Sequence, residues 1–563
     1  MRVLNALYVA ACANAGWIDT DTPNDARTIT GYGDGAAHAL VMSDEFDVPG
    51  RSFRDGQDPR WTAVHKNDYT NKALQFYHEA HATTFNGSLK LTTTHEDTEF
   101  LSHQVKNKTK VTVKVRKHYR SAMLQGWNKF CFRGGVLEIR AKLPGRYDVG
   151  GLWPGLWMMG NLARATYVAS SQNMWPFSYE PCARSNQRQQ EVSGCAIRPH
   201  FGLNAKQGRG APEIDLLEVM PGDGVMGMPI PPYIMKKPFY STSLQLAPAA
   251  KVRPFNGGPT APGAWYEGMT YGPNTSQNVF FYGMELESSV DPEATYWADA
   301  VSANTPIGAS EFEDFHTYRL EWTPKKRLAW YKDGAFLYEI HQDSLTNLTK
   351  SLQIPDEPTY LLLNTAMSST WGFPTPCPKG CACECFDCKR PQCACAINKG
   401  FCDSLPASFL IDYVRLYQHS DHSVGCDPQS HPTSKFIDAH LERYLDPDAP
   451  GKRRALDPVH RGGASCKSAT ACGLDGECLR KRCRCGASRT GPRCQAPRGF
   501  DDHAGASGPP RLEPAGFMMP LQLAVALACV VLAHIVFCRR SLAAIRRERR
   551  LVRERASLLT SYS

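Results

Sequence analysis

The segment Glu213–Glu218, with the sequence EIDLLE, contains three carboxylates at a spacing that suits acid–base chemistry on a sugar. Side chains alternate between the two faces of a β-strand, so Glu213 and Asp215 share one face while the apolar residues between them enter a core. Glu218 follows at an odd offset, which would turn it inward. One extra residue bulged out at the Leu-Leu pair returns it to the first face, and bulges are common beside active sites. The segment therefore predicts three carboxylates on one face of a bulged strand.

Two glutamates that flank a sugar's anomeric carbon, with carboxyl groups about 5–5.5 Å apart, are what a retaining glycosidase needs. Long glutamate side chains that lean over a short aspartate can reach that separation. Carboxyl groups this close cannot all ionise easily, so one keeps a proton for a leaving oxygen. The alternative is an acidic, half-exposed strand without chemistry. Turn sequences at 208–212 and 219–222 set the segment off as a strand and favour the catalytic interpretation.

The elements that position these acids are short strands. Residues 136–143 and 315–322 alternate polar and apolar side chains, Lys332-Asp333-Gly334 is a turn, and no long helical periodicity appears. The pattern over residues 28–420 predicts an all-β sandwich that is completed by a strand near Ile411–Gln418.

Charge and cysteine content narrow the class of protein. Of the formal charge of +9, the segment after Cys538 carries +6 (eight arginines against two glutamates), so little basic field remains for the large domain and nucleic-acid binding is not expected. Eighteen of the 21 cysteines lie between Cys131 and Cys494. This density indicates disulfides formed in the secretory pathway. Four Asn-x-Ser/Thr triplets are candidate glycosylation sites: Asn86, Asn107, Asn274 and Asn347.

Several motifs occur in the order found in glycoside hydrolase family sixteen. They are Asp44-Glu45-Phe46, the sequence GLWPGLW at 151–157, Glu213–Glu218, FHTYRLEW at 315–322, Leu363-Asn364 and DYVRLY at 412–417. More narrowly, the chain resembles the fungal-type β-1,6-glucan synthesis-associated proteins, through SAMLQGWN at 121–128, WPFSYEPC at 175–182, QGRGAPE at 207–213 and GCDP at 425–428. The resemblance covers residues 40–445.

This resemblance implies a concanavalin-like jelly roll that binds a β-glucan. Carried onto the matching residues, Glu213 is the nucleophile, Asp215 its helper and Glu218 the acid/base. No cofactor and no metal is expected. The narrower family also accounts for Gln245, where many members of the wider family have a histidine.

Aromatic and amide side chains near these motifs are candidates for sugar binding. Trp153 and Trp157 are four residues apart in a predicted strand and share a face, and their indoles can stack on pyranose rings. Packing into the core is the alternative for each. Trp371 follows the motif of Asn364 in a strand-to-loop segment and is a similar candidate. We therefore predict substrate contacts from Trp153, Trp157, Gln245, Asn364 and Trp371.

Eight cysteines lie in an insertion at 377–402, between Trp371 and the last predicted strand. Repeated C-x-C spacing is compatible with zinc or a metal cluster, but disulfides are favoured in an oxidising lumen. We expect the insertion to border the glucan site.

The rest of the chain predicts a series of smaller segments. Residues 421–460 are a packed tail or linker, and 462–495 resemble an epidermal-growth-factor-like module, for which a spacer role is favoured over a dedicated partner site. The six cysteines of this module are Cys466, Cys472, Cys478, Cys483, Cys485 and Cys494. The resemblance implies that the first pairs with the third, the second with the fourth, and the fifth with the sixth.

Membrane attachment is expected from the remaining segments. Residues 496–516 form a Gly/Pro/Ala-rich linker, and the 22 residues 517–538 lack a formal charge and can cross a bilayer of about 30 Å. A buried core helix is the alternative. Residues 539–563 are a basic tail that faces the cytosol by the positive-inside rule, and 1–15 is read as a signal peptide, with a disordered start as the alternative. The sequence thus predicts a single-pass type I membrane protein.

Two function classes follow. The first is a membrane-anchored, retaining β-glucan hydrolase or transglycosylase that acts on β-glucan, with β-1,6-glucan as the expected polymer, in synthesis, remodelling or cell-wall organisation. The second is a β-glucan-binding receptor without catalysis. Because both Glu213 and Glu218 are present, the sequence favours the enzyme. A third and less favoured hypothesis is an adhesion protein in which the small module 462–495 makes the main contact with a partner.

Overall fold

A computed structural model of the chain describes residues 17–106, 109–182, 192–195, 201–223, 225–227, 234–248, 269–278, 284–287, 295–348, 352–373, 378–381, 383–419 and 423–497. The predicted signal peptide, membrane span and basic tail lie outside these residues, as does nearly all of the predicted linker. Within the part of the chain that is described, no helix is long and apolar enough to cross a membrane.

Two large, mostly antiparallel sheets form a sandwich. The front sheet has eleven strands, which in chain order are Thr62–Ala63, Met123–Gln125, Phe132–Arg133, Trp153–Gly160, Glu213–Met220, Phe239–Leu246, Ser276–Gln277, Met284–Glu287, Thr295–Pro306, Thr359–Ala366 and Ser423–Val424. The back sheet has ten strands, which are Thr28–Thr30, Ala37–Asp44, Ala82–Phe85, Ser88–Thr93, Gly135–Lys142, Thr270–Tyr271, His316–Thr323, Arg327–Lys332, Ala335–His341 and Ala407–Gln418. The predicted β-sandwich is therefore present.

Smaller strands and short helices complete the described structure. Three strands form a separate small sheet (Lys66–Asn67, Gln75–Tyr77, Tyr119–Ser121), and five two-stranded pairs join Thr98–Lys106 to Thr109–Lys117, Ser193–Gly194 to Gln207–Gly208, Val225–Gly227 to Ile234–Lys236, Gly476–Leu479 to Arg482–Cys485, and Arg489–Thr490 to Ala496–Pro497. The α-helices are Val168–Ser171, Ser310–Glu313, Gln342–Leu348 and Ser434–Ala439, and the 3₁₀ helices are Asn24–Arg27, Glu79–His81, Pro391–Ala396, Cys402–Ser404, Leu441–Tyr444 and Ala469–Cys472. No described helix exceeds seven residues.

The main core lies between the two sheets because each strand contributes alternate apolar residues. In Gly135–Lys142 the buried and half-buried residues alternate from Leu137 onward, as the sequence pattern predicts. Strand Ala407–Gln418 pairs on one side with Ala37–Asp44 and Ser88–Thr93 and on the other with Gly135–Lys142. The last predicted strand is therefore an interior member of the back sheet.

A buried ion cluster ties the first long strand to the loop that follows it. The Arg51 guanidinium donates to Asp44 at 2.7 and 2.9 Å and to Asp58 at 2.7 Å, and the Trp61 indole donates to Asp44 at 2.8 Å. Asp44 begins the Asp-Glu-Phe motif. Because each charge has a partner, the motif serves packing at this end of the sandwich.

A second apolar cluster covers the outer side of the front sheet. The predicted tail 421–460 supplies part of it, since Phe436, Ile437 and Tyr444 pack with Trp127 and Leu362. A disulfide between Cys131 and Cys426 fixes the start of this tail to the sandwich. The tail is therefore packed, as one of the two predictions for it stated.

The six cysteines of the small C-terminal module form three disulfides: Cys466–Cys478, Cys472–Cys483 and Cys485–Cys494. This is the pairing that the growth-factor resemblance implies. The module packs on the sandwich through Arg489, which is 4% exposed and lies 2.5 Å from Asp21 and 4.0 Å from Asp19. The module is therefore in contact with the rest of the described domain, and its role as a spacer stays a prediction.

In the cysteine-rich insertion, disulfides join Cys381 to Cys395, Cys385 to Cys393 and Cys388 to Cys402. Cys383 is also disulfide-bonded, and Cys377 lies outside the described residues. Because sulfurs that are bonded to each other cannot serve as thiolate ligands, the disulfide-bonded cysteines of the insertion cannot bind zinc or a metal cluster.

Three of the candidate glycosylation sites lie in described residues. Asn86 and Asn274 are exposed and in turns, which leaves their side chains accessible, and Asn347 lies in helix Gln342–Leu348. Asn107 lies outside the described residues. Glycosylation at all four remains a prediction.

Candidate active site

Strand Glu213–Met220 lies in the middle of the front sheet and contains the predicted bulge. Toward one neighbouring strand, Asp215 pairs with Ser243 and Glu218 with Ser241, so two residues oppose a single residue between them. The register toward the other neighbour, Trp153–Gly160, shifts at the same place. The bulge returns Glu218 to the side of Glu213 and Asp215, while Leu216 and Leu217 are both buried in the main core.

A tryptophan from the back sheet satisfies the backbone at this bulge. The Trp330 indole N–H donates to the carbonyl oxygen of Asp215 at 3.0 Å across the core. A bulge disrupts the ladder of the sheet, and a buried carbonyl without a partner is unfavourable. Trp330 therefore holds the bulge that places the acids on one face.

The three carboxyl groups have different hydrogen-bond environments. Glu213 accepts a hydrogen bond from the Trp175 indole at 2.7 Å and another from Asp215. Asp215 is 1% exposed and accepts a long hydrogen bond of 3.4 Å from the Gln245 amide. Glu218 is half-buried and accepts from the Trp153 side chain. Glu213 therefore has two donors, which favours its ionised form.

Burial raises the pKa of all three acids. The pKa of Glu213 rises to about 8, with the charge of Glu218 as the second cause, and the pKa of Glu218 rises to about 7. The pKa of Asp215, between the two glutamates, is raised well above its ordinary value. The three carboxyl groups therefore ionise at higher pH than isolated carboxyl groups do. We assign the ionised form from the hydrogen-bond donors, because Glu213 accepts two hydrogen bonds and Glu218 accepts one.

Two of the predicted sugar-binding tryptophans stack on each other beside Glu218. The rings of Trp153 and Trp371 have centroids 4.8 Å apart and planes inclined by 22°. Both side chains are half-buried. We call the set Trp153, Trp175, Glu213, Asp215, Glu218 and Trp371 the carboxylate site.

Of the three other predicted sugar-binding residues, Gln245 donates to Asp215, and Trp157 and Asn364 are hydrogen-bonded to each other. The Trp157 indole donates to the Asn364 side-chain oxygen at 2.7 Å, and the Asn364 amide donates to the Tyr77 hydroxyl at 3.2 Å. Asn364 is 5% exposed, and Trp157 packs against the second apolar cluster. These contacts agree with the packing alternative for Trp157, while a direct sugar contact from either residue remains a prediction.

A depression of about 520 Å³ lies along the front sheet, near the strand of Asn304, which is two strands from that of Glu218. Its lining includes Tyr147, Asp223, Lys237, Phe239 and Asn304. Asn304 belongs to the same cross-strand row as Glu218 and Ser241. Its side-chain oxygen accepts from the Ser241 hydroxyl at 2.6 Å, whereas its amide nitrogen is buried and has no hydrogen-bond partner in the described structure. Asn304 therefore has a buried donor without a partner among the described residues, at the edge of this depression.

Sequence reasoning missed Trp175, Trp330 and Asn304 as parts of the site. Trp175 was recognised only as part of a family motif, and its position over Glu213 depends on how the loop before strand Glu213–Met220 folds back. Trp330 is 115 residues from Asp215 in sequence. A pairing prediction between the two sheets would have been needed to find it.

A comparison with known protein families identifies the family of this chain. A sequence profile described as "Beta-glucan synthesis-associated protein SKN1/KRE6/Sbg1" matches residues 4–376 and 401–451. The chain belongs to this family. The residues of the carboxylate site all lie within the matched segments.

Individual relatives agree with this class. The chain is 32% identical over 451 residues to the β-glucan synthesis-associated protein KRE6 of Saccharomyces cerevisiae, a match that covers 76% of this chain and 53% of that protein. It is 31% identical over 458 residues to the SKN1 protein of Candida albicans, covering 76% of this chain and 51% of that protein. The chain thus spans about half the length of the curated relatives that it matches.

Among solved structures, the laminarinase catalytic domain of Thermotoga maritima aligns at 21% identity and a TM-score of 0.37, over 68% of this chain and 99% of that one.

Proposed function

We propose that this protein is a retaining β-glucan hydrolase or transglycosylase with Glu213 as nucleophile, Asp215 as its helper and Glu218 as acid/base. The observation that carries the proposal is the bulge in strand Glu213–Met220, which puts three carboxyls with raised pKa values on one face. A strand that served only packing has no need for a bulge that returns a third acid to the others.

The proposed reaction has two steps. The Glu213 carboxylate attacks the anomeric carbon while Glu218 gives its proton to the glycosidic oxygen, so that bond breaks and a glycosyl–Glu213 ester forms. Glu218, now ionised, then takes a proton from water or from a sugar hydroxyl, whose oxygen attacks the same carbon and releases Glu213. Asp215, which keeps its proton, donates to Glu213 and fixes its orientation.

Membership of the family supports β-glucan as the substrate class, because its matched relatives bear the name β-glucan synthesis-associated proteins. A role in synthesis requires transfer to a sugar, so we favour transglycosylation over hydrolysis and β-1,6-glucan as the product polymer. The depression lined by Asn304 offers room for an acceptor sugar.

For location, we propose a single-pass type I protein of the secretory pathway or plasma membrane, with the sandwich on the luminal or extracellular side. The uncharged segment 517–538 with two arginines after it and the disulfides on the described domain support this orientation. Protease protection of the sandwich in sealed microsomes, lost on addition of detergent, tests the proposal; digestion without detergent contradicts it.

The activity is tested by incubating the purified protein with β-1,3- and β-1,6-glucan oligosaccharides and a fluorescently labelled acceptor. We expect longer labelled products from the parent, and rates lower by about 10²–10⁴-fold in Glu213→Gln and Glu218→Gln. Glu99→Gln, at an exposed glutamate in strand Thr98–Lys106, is the matched control and should react like the parent.

Two results would contradict the assignment. Equal rates in the parent and both glutamine variants would remove Glu213 and Glu218 from the reaction. Binding of glucan by all proteins with no product from any would favour the receptor function.

A further inference from the structure

The cysteine-rich insertion, residues 378–381 and 383–402 of the described structure, lies beside the carboxylate site, although most of it is not part of the family profile. The family profile stops at residue 376 and resumes at 401, so nearly the whole insertion falls outside it. Two short 3₁₀ helices are its regular structure, and the three disulfides between its described cysteines hold it together.

The insertion is anchored to the rest of the protein by polar and aromatic contacts. Asp387 lies 3.1 Å from the His95 ring, and the Tyr119 hydroxyl lies 3.3 Å from the sulfur of Cys388. Phe386 packs on Phe373 with ring centroids 5.3 Å apart. The insertion therefore has a fixed position on the protein.

From this position it contacts both chain segments that carry the stacked tryptophans. The Asn398 amide donates to the carbonyl oxygen of Gly372, the residue after Trp371, at 2.7 Å. Phe401 lies against Gly151, two residues before Trp153, so closely that a Cβ atom there would be 2.5 Å from its ring. Gly151 has φ +130° and Gly372 has φ +90°, conformations that side chains other than glycine rarely adopt.

The stack itself needs external support. The Trp371 indole N–H is buried and has no hydrogen-bond partner in the described structure, which is an unfavourable position for a donor. Trp153, on which Trp371 stacks, donates a hydrogen bond to Glu218. A shift of the segment that contains Trp371 would therefore change its stacking on Trp153. It would also change the hydrogen bond from Trp153 to Glu218, the proposed acid/base.

We propose that the insertion is a positioning element of the carboxylate site: Asn398 and Phe401 hold Trp371 stacked on Trp153, and the stacked pair is the aromatic wall against which a β-glucan sugar binds. This rests on the proposed function for its ligand. Asn398 and Phe401 act through the tryptophans and are positioning residues without contact to the sugar.

The test uses two readouts on the full-length protein. Two stacked indoles couple electronically and give a paired circular-dichroism band in the far ultraviolet, which Trp371→Phe removes and so identifies. Binding of laminarihexaose and gentiohexaose is measured by calorimetry in the Glu218→Gln background, so that no turnover interferes. The variants are Asn398→Ala and Phe401→Leu, and the matched control is Lys399→Ala, an exposed neighbour in the insertion.

We expect Asn398→Ala and Phe401→Leu each to weaken the paired band and to weaken oligosaccharide binding by about 3- to 10-fold, the range of one lost hydrogen bond or aromatic contact. Lys399→Ala should change neither. Thermal melts of all variants separate a local shift from unfolding.

Other outcomes overturn the proposal in distinguishable ways. An unchanged band in both variants shows that the insertion does not position the pair. A weakened band with unchanged oligosaccharide binding, or tighter oligosaccharide binding in Trp371→Phe, shows that the stacked pair is not the aromatic wall that binds the sugar. Absence of any binding by the Glu218→Gln protein rejects the proposed ligand, while the band still decides whether the insertion positions the tryptophans.

Discussion

At the scale of single residues, Asp215 links the stability of the fold to pH. Its carboxyl is 1% exposed, and burial together with the two glutamates raises its pKa. An acid with a raised folded-state pKa holds a proton that the unfolded chain has already lost. Its contribution to stability is therefore complete below the unfolded pKa and declines as pH rises toward the folded one.

We predict that Asp215→Asn lessens the loss of stability between pH 5 and pH 8. The amide keeps the shape of the side chain but has no proton to lose, so the difference between the melting temperatures at the two pH values should shrink by about 2–4 °C. Asp403→Asn, at an exposed aspartate, is the control. An unchanged pH dependence in Asp215→Asn would mean that this carboxyl is ionised in the fold at neutral pH.

Trp175 sets the ionisation of the proposed nucleophile. Its indole hydrogen bond, 2.7 Å from Glu213, lowers the pKa of that acid against the effect of burial. In Trp175→Phe the pKa of Glu213 should rise, so the acid limb of the pH–rate profile should move to higher pH and kcat should fall by about 10-fold, as for one lost charge-assisted hydrogen bond. A fall in kcat with no movement of the limb would indicate only a packing role.

At the scale of elements, the bulge in strand Glu213–Met220 depends on a contact from the opposite sheet. The Trp330 indole donates to the carbonyl of Asp215 at 3.0 Å, and the Trp322 indole makes an equivalent bond of 2.9 Å to the carbonyl of Pro355, away from the acids. The two tryptophans are both buried in the main core. They form a matched pair for testing what the bulge contributes.

We predict that Trp330→Phe and Trp322→Phe both lower stability, by about 1–3 kcal/mol for a buried carbonyl left without its donor. Only Trp330→Phe should also lower kcat on glucan, because only it releases the strand that positions Glu218. The check is a denaturant melt beside a rate measurement for each variant. Equal loss of activity in the two variants would assign the effect to general destabilisation.

The bulge is also where sequence reasoning was most successful at this scale. Side-chain parity required one extra residue between Asp215 and Glu218, and the register of the strand shows it there. The partner of the bulge could not be predicted, because Trp330 approaches from the other sheet and strand alternation contains no information on which sheets face each other. The same reason hid Trp175, whose role depends on the path of a loop.

At the scale of the whole molecule, the small C-terminal module packs on the sandwich. The resemblance to an epidermal-growth-factor-like module implied the three disulfides that the structure contains, but a disulfide pattern says nothing about the outer surface of a module. Arg489, beside Asp21 and Asp19, makes the contact, and Gln495 adds a bond of 3.3 Å to the carbonyl of Gly50. The strand pair that ends at Ala496–Pro497 extends the module two residues past its predicted end at 495.

We predict that Arg489→Ala loosens the module without unfolding it, since the disulfides remain and only the docking contact is lost. Hydrogen exchange should increase in residues 462–495 and around Asp19–Asp21, while the core strand Glu213–Met220 keeps its protection. Arg484→Ala, an exposed arginine of the same module, is the control. Unchanged exchange in Arg489→Ala would show that other contacts are sufficient for docking.

If Glu213 is the nucleophile, it forms a covalent bond to a glucosyl unit during the reaction, and this bond can be trapped. The purified protein is incubated with a 2-deoxy-2-fluoro-β-glucosyl donor that has a good leaving group, and its peptides are analysed by mass spectrometry. We predict one added fluoroglucosyl group, located on Glu213, and none in Glu213→Gln. A label on Glu218, or rapid turnover of glucan with inversion at the anomeric carbon and no label, would contradict the account.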